Sequence, residues 1–251
     1  MNVFEEQAFA ARAALLDQLD RDGVESPLRA QLEAIDARLF ARLRQEIRDG
    51  LRGDALLRTI RSFVPAAQTA GARYDLLDSF LTELLLHRRL PAETKQREAE
   101  MVFYQRTPSR FVLELCASAP LTPNDMFYDI GSGLGEVAIL VRLLTDATVK
   151  GVEFEPAYCD YAHALAAELN LSGITFLNAD ARDADFSAGT VFFLYTPFTG
   201  KLLQRVLDKL RGRKGALFTF GPCTVEIAQS GWARPVTPAP LSDDRLVQWT
   251  L

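Results

Sequence analysis

The stretch Asp129-Ile130-Gly131-Ser132-Gly133-Leu134-Gly135 constrains the fold of this chain more than any other. It follows the apolar run Met126-Phe127-Tyr128 and precedes Glu136-Val137-Ala138-Ile139-Leu140-Val141, which predicts a strand, a tight glycine turn and a helix. A doubly wound parallel sheet binds ligands at such a turn, outside the carboxyl ends of its strands. A dinucleotide fingerprint needs its third glycine where Glu136 stands, and a carboxylate at Asp129 sits badly beside a pyrophosphate. The turn therefore disfavours a dinucleotide and suits a ligand that carries a positive charge.

Downstream, apolar runs and amphipathic stretches alternate, the pattern of a parallel α/β sheet. Strands are expected over residues 148–154, 174–177, 190–195 and 216–220, with helices over 158–168 and 201–210. Residues 232–236 and 246–251 read as a final antiparallel pair. Upstream, residues to about 89 read as helices only. Leu32, Ile35, Leu39, Leu43 and Ile47 form an amphipathic stripe at three- and four-residue steps. Asp49-Gly50 and Arg52-Gly53 read as a helix stop, and a leucine-rich helix is expected near residues 75–88, before Pro91. Residues 98–108 connect the two parts, and Ser109 is the expected cap of a helix over 110–117. The predicted fold is α/β: a doubly wound, Rossmann-like sheet, mostly parallel with an antiparallel end, behind an all-helical N-terminal domain. Residues 1–97 form the helical part and 98–251 the sheet domain.

A chain of 251 residues with 48% hydrophobic and 24% charged residues has room for both parts and a full core. Its net charge of −5 argues against extensive binding along a nucleic-acid backbone. Arg42, Arg44, Arg48, Arg52, Arg58 and Arg61 read as a solvated helix face. Cys116, Cys159 and Cys223 lack metal-ligand spacing, so reduced, buried thiols and no metal site are expected. The first residues have no signal-peptide pattern, and no run of about 18 apolar residues suggests a membrane span. A cytoplasmic protein without membrane attachment is the expectation.

Four loops at successive strand ends hold the chemistry. In the first, Gly131, Ser132, Gly133 and Gly135 bring backbone close to a ligand, and amides at the helix start face a carboxylate. Asp129 takes an ammonium group. In the second, Glu153 lies about twenty residues after the glycines, where an acid accepts both ribose hydroxyls; Glu155, ahead of Pro156, is better placed as a helix cap. In the third, Asp180 is the candidate acceptor for an adenine amine, with the neighbouring amide at Ala181 donating to the ring. In the fourth, Tyr195-Thr196-Pro197-Phe198 is placed where reacting atoms meet. Pro197 stiffens that loop, Phe198 offers a face to a sulfonium or acceptor, and the Tyr195 and Thr196 hydroxyls are candidates to orient an amine. An adenosine-bearing cation, S-adenosylmethionine, satisfies these loops together.

Residues 103–251 resemble the class I S-adenosylmethionine-dependent methyltransferases. Asp129 to Gly135 is similar to their first motif, Glu153 to their ribose-binding acid and Asp180 to their adenine-side acid. Within that class, Asp-Ile-Gly-Ser-Gly-Leu-Gly-Glu-Val followed by Gly151-Val152-Glu153 looks like the seven-stranded protein-lysine enzymes, of which the non-SET histone-lysine methyltransferases are the best known. Tyr195-Thr196-Pro197-Phe198 is similar to the Asn/Asp-Pro-Pro-Tyr/Phe loop of amino-group methyltransferases. Tyr195 replaces its amide or acid and Thr196 its first proline, which argues against a nucleobase or glutamine amide as acceptor.

Methyl transfer from a sulfonium asks mainly for alignment, and the chain offers only His87 and His163, both expected to be structural. Tyr104 and Thr107, just ahead of the sheet domain, are candidates for a lid over the cofactor. The leading expectation is a methyltransferase acting on an amine, such as a protein lysine. The alternatives are a small-molecule O- or N-methyltransferase, or a non-catalytic S-adenosylmethionine-binding scaffold. The sequence leaves oligomeric state open, and the stripe from Leu32 to Ile47 is expected to bury within the helical part.

Overall fold

The computed structural model describes residues 9–23, 26–64, 74–119, 121–238 and 240–251. Four helices lead: α1 (Phe9–Arg21), α2 (Pro27–Arg48), α3 (Gly53–Phe63) and α4 (Leu76–Leu85). The hydroxyl of Ser26 caps α2 by accepting from the Leu28 amide, with Pro27 in the first turn. The whole expected stripe of α2 is buried within the chain itself, together with Phe40 and the Arg12–Asp36 ion pair. Phe9, Phe40 and Phe80 meet edge to face and Phe63 stacks on Phe80, at centroid distances of 5.1–5.8 Å, tying α1–α4 together. Gly53 does not extend the helix stop, as expected, but opens α3. The turn before it ends α2, where the Arg52 guanidinium covers the Ile47 and Leu51 carbonyls.

Helix α5 (Ser109–Ser118) begins one residue earlier than expected. Ser109 is not its cap; Pro108 takes that position, and the Ser109 amide donates to Asp78 Oδ1 at 2.7 Å. The Asp78 carboxylate also completes a capping box with Asp75 at the start of α4, so one buried acid serves two helix starts.

Then follow β1 (Met126–Ile130), α6 (Glu136–Leu144), β2 (Thr148–Glu153), α7 (Pro156–Glu168), β3 (Ile174–Asn178), β4 (Val191–Tyr195), α8 (Gly200–Leu210), β5 (Ala216–Phe220), α9 (Cys223–Ser230), β6 (Arg234–Pro235) and β7 (Val247–Thr250). The seven strands lie in the order β3-β2-β1-β4-β5-β7-β6, parallel from β3 to β5, with β7 antiparallel to both β5 and β6. The expected architecture is thus observed. The short helix α9, between Pro222 and Gly231, was not expected.

Side chains alternate across the sheet as the two-residue period requires. Phe127, Val149, Phe193 and Phe218 face one side, where α5, α6, α7 and the N-terminal helices share a continuous apolar core. Tyr128, Val152, Phe192, Leu194 and Leu217 face the other, covered by α8, α9 and the buried Trp249. The order of strands reverses at β1, which lies between β2 and β4. Register puts Asp129 beside Gly151 of β2 and Phe193 of β4, so the carboxyl ends of these strands converge at the switch point where such sheets bind ligands. Among the described residues, no helix is long and apolar enough to cross a membrane, and no cluster of side chains is suited to a metal ion.

Candidate functional site

A cleft of about 860 Å3, its open mouth included, lies over the ends of β1, β2, β3 and β4. The glycine turn forms its floor. Gly131 and Gly133 have φ of 81° and 52°, in the left-handed region that favours glycine. Space requires glycine there as well: a Cβ on Gly131 would come within 2.3 Å of the Pro197 ring, and one on Gly133 within 2.6 Å of the Tyr104 ring. The turn is fastened to β2. The Gly131 and Ser132 amides donate to the Val152 carbonyl, the Gly133 amide donates to Glu153 Oε2 at 2.8 Å, and the Gly135 amide to the Ser132 carbonyl. These four turn amides are therefore spent inside the protein, and at the expected helix start the Ala138 amide faces Asp129.

Asp129 is 2% exposed. Burial outweighs the Ala138 amide that faces it and, with the nearby charge of Glu153, pushes its carboxyl up to about 7. Its Oδ2 and the Ser132 hydroxyl are buried without a hydrogen-bond partner. Buried polar atoms are normally paired, so this end of the site carries a donor-seeking oxygen where the ammonium of S-adenosylmethionine was expected, and the residues fit that group.

Glu153 and Glu155 have separate tasks. Glu153 accepts from the Gly133 and Glu155 amides, and burial raises its pKa against these bonds and the nearby Phe154 amide. With one amide on each oxygen, lone pairs remain for a diol. Glu155 caps α7 through the Ala157 amide, as expected, and also accepts from the Thr94 hydroxyl and the Thr94 and Lys95 amides. Burial opposes its ionisation, yet these bonds prevail and bring it down to about 2.

Asp180 lies on the cleft wall beside the buried Ala181. Both its oxygens are held by Arg182, with Nε at 3.0 Å from each and Nη2 at 2.6 Å from Oδ2. These bonds keep the carboxyl below its ordinary range. The remaining Arg182 donors bind Glu98.

Residues 93–108 run as a strap across the cleft, and the expected lid residues Tyr104 and Thr107 lie on it. Thr94 and Lys95 bind Glu155, and Glu98 binds Arg182. Glu100 accepts from the Lys201 and Leu202 amides at the start of α8. Met101 forms an antiparallel bridge with Phe198, beside a bond from the Val102 amide to the Pro197 carbonyl. Tyr104 lays its ring on Gly133 and donates its hydroxyl to Glu136 Oε2 at 2.6 Å, and Arg106 pairs with the same carboxylate at 2.8 Å. Burial drives the Tyr104 pKa upward. Glu136, the residue in the third-glycine position, is thus the strap's anchor. Thr107 lines a second cavity of about 350 Å3 with Asp129, Ser132, Glu136 and Arg106.

In the fourth loop, Tyr195 is half-buried against Phe220 and its hydroxyl donates to Gln105 Oε1 at 3.4 Å. Thr196 differs from expectation. Its φ is 38°, unusual for a β-branched residue, and its buried hydroxyl donates to the Phe220 carbonyl and accepts from the Cys223 amide. It braces the loop against α9 instead of offering the hydroxyl to an acceptor. Phe198 is buried, and Pro197 packs over Gly131. The histidines take structural contacts: His87 pairs with Glu168, and His163 Nε2 lies 2.8 Å from the Phe176 carbonyl.

Residues 96–193 match the family model of the histone methylation protein DOT1. No curated protein sequence matches the chain. Among solved structures, an RNA methyltransferase from Salinibacter ruber in complex with S-adenosyl-L-homocysteine is similar at 24% identity, over 58% of this chain and 93% of that one, with a TM-score of 0.49. A precorrin-6y C5,15-methyltransferase from Geobacter metallireducens is similar at 15% identity, over 59% and 91%, with a TM-score of 0.46. In its strand order, its glycine turn and the DOT1 match over residues 96–193, the chain is similar to the class I S-adenosylmethionine-dependent methyltransferases.

Proposed function

We propose that this methyltransferase acts on an amine, the side chain of a protein lysine. The observation that carries the reading is the DOT1 match over residues 96–193, the segment that contains most of the strap, the glycine turn, β1 to β3 and the start of β4. S-adenosylmethionine supplies a methyl group on a sulfonium, an electrophile that asks for no acid–base help once the amine is neutral. In this proposal Asp129 takes the cofactor's ammonium, Glu153 its ribose hydroxyls, and Asp180 with the Ala181 amide its adenine. Tyr104 and Thr107 close the strap over Gly133, while Tyr195, Pro197 and Phe198 face the acceptor. The protein's part is then alignment and exclusion of water.

The fourth loop supports an amine of this kind. Tyr195 stands where an acid or amide would grip a planar amide nitrogen, and the braced Thr196 contributes no hydroxyl. The test is transfer of labelled methyl from S-adenosylmethionine into a cell lysate, followed by hydrolysis of the labelled protein. Label on lysine nitrogen is the expected result, and label confined to the small-molecule fraction would overturn it.

A further inference from the structure

Two cavities meet at one pair of side chains. Glu153 and Asp180 line the main cleft and Asp129 lines the second cavity, while Gln105 of the strap and Tyr195 at the end of β4 line both. In the proposed site the ribose lies in the first cavity and the ammonium in the second, so the sulfonium falls between them, beside this pair. The Tyr195 ring packs on Phe220, and its hydroxyl donates to Gln105 Oε1 at 3.4 Å. Such a bond is long in an empty site and tightens when a ligand fills it. Burial, with Tyr74 nearby, pushes the phenol up to about 12, so it keeps its proton. The Tyr74 hydroxyl also donates to the Arg106 carbonyl at 2.6 Å, which fixes the strap next to Gln105. With the Thr196 hydroxyl spent on Phe220 and Cys223, the phenol oxygen is the acceptor that this loop's side chains offer.

We infer that Gln105 is a positioning residue for methyl transfer: it holds the Tyr195 hydroxyl proton, so that the phenol's lone pairs turn to the incoming amine and accept one of its N–H groups. The inference rests on the proposed cofactor site and amine acceptor. Direction is what the pair supplies. A neutral amine whose N–H is held by Tyr195 keeps its own lone pair for the methyl group, whereas a phenol free to rotate would donate to that lone pair and mask it. In the transfer itself the amine's lone pair forms the N–C bond and the C–S electron pair stays on sulfur, leaving S-adenosylhomocysteine. The methylated ammonium then gives its proton to water. Two segments 90 residues apart thus make one oriented acceptor.

The test is calorimetry of the full chain with S-adenosylhomocysteine and with sinefungin, in which a carbon bearing an amine replaces the sulfur and sets an N–H donor beside the pair. The quantity read is the ratio of the two affinities. In Tyr195→Phe, which keeps the ring on Phe220, the ratio is expected to shift about 10-fold against sinefungin, the lower range for a charged hydrogen bond. Gln105→Met, of similar length but without the amide oxygen, should shift it the same way by about 3- to 10-fold. The double variant should lose no more than Tyr195→Phe, because Gln105 acts through the phenol. Affinity for S-adenosylhomocysteine should change little in all three. An unchanged ratio in Gln105→Met, whether both ligands weaken or neither does, would reduce the residue to a strap contact and overturn the inference, as would losses that add in the double variant. A wild-type protein that binds neither ligand would instead remove the cofactor site on which the inference rests. A protein that shows the expected ratios yet labels no lysine in the lysate would fail the lysine reading and keep the pair.

Discussion

At the β2–β3 end of the cleft, Glu153, Glu155 and Asp180 each accept hydrogen bonds from the protein, whereas at the glycine turn Asp129 is buried with one oxygen unpartnered. The difference separates two ways of using a carboxylate. Asp180, held by Arg182, and Glu155, held by the strap, have their pKa values lowered and keep charge and position before any ligand arrives. Asp129 pays a burial penalty for its charge that a cationic ligand relieves. In the proposed site one end is preorganised, and the other is completed by binding.

The sharpest way to break this comparison is Asp129→Asn, which keeps the shape and removes the charge. At pH 8 its affinity for S-adenosylhomocysteine is expected to fall about 100-fold, the upper range for a buried charged hydrogen bond. The wild-type pH profile carries the same information. With its carboxyl at about 7 in the free protein, Asp129 must lose a proton to pair with an ammonium. Affinity therefore rises about tenfold per pH unit from pH 5 towards 7 and levels above it. The sign for stability is opposite. A raised carboxyl pKa favours the folded state at low pH, and this contribution is lost as pH rises from about 4 through 7. Asparagine removes both slopes. Calorimetry and thermal unfolding across pH 5–8 check this, and a variant that retains the wild-type binding profile would place the ammonium elsewhere.

A smaller effect is expected at the preorganised end. Arg182→Ala releases Asp180 and detaches Glu98, yet leaves the acid in the cleft wall. Affinity for S-adenosylhomocysteine should fall by about 10-fold, as for loss of an orienting charged hydrogen bond. The affinity's pH midpoint should stay where Asp129 sets it. Equal losses from Arg182→Ala and Asp129→Asn would dissolve the distinction between the two ends.

The same two ends differ in how much of them was legible. The positions of Glu153 and Asp180 at strand ends were legible because strand, turn and helix repeat locally, and each acid follows an apolar run whose alternation marks it as a strand. The glycine turn was legible from its spacing. Arg106 and the strap were not, because their partners lie far along the chain: Glu136 is 30 residues from Arg106, and Arg182 is 84 from Glu98. No period connects such positions, and an irregular segment carries no amphipathic signal. The Thr196 hydroxyl was misplaced for another reason. Its direction follows from a left-handed backbone imposed by tertiary contacts, where a threonine gives no cue. Ser109 lost the cap position to Pro108 because Asp78, from another helix, claims its amide.

Tyr104→Phe should give the smallest effect. The ring packs on Gly133 and stays in the variant, so the covering of the glycine turn is retained. Only the hydroxyl bond to Glu136 is lost, and Arg106 still neutralises that carboxylate. A hydrogen bond to a charged group contributes about 1.5–3 kcal/mol; with Arg106 compensating, the loss should fall at or below the lower end. That corresponds to at most about a tenfold loss of S-adenosylhomocysteine affinity. A hydroxyl that only fastens the strap should leave turnover at saturating cofactor near the wild-type rate, so the change appears in KM for the cofactor and not in kcat. Unchanged affinity and turnover would confine the residue's part to its ring. A large drop in kcat would mean that the strap positions the acceptor as well, and that the end completed by binding extends beyond the cofactor.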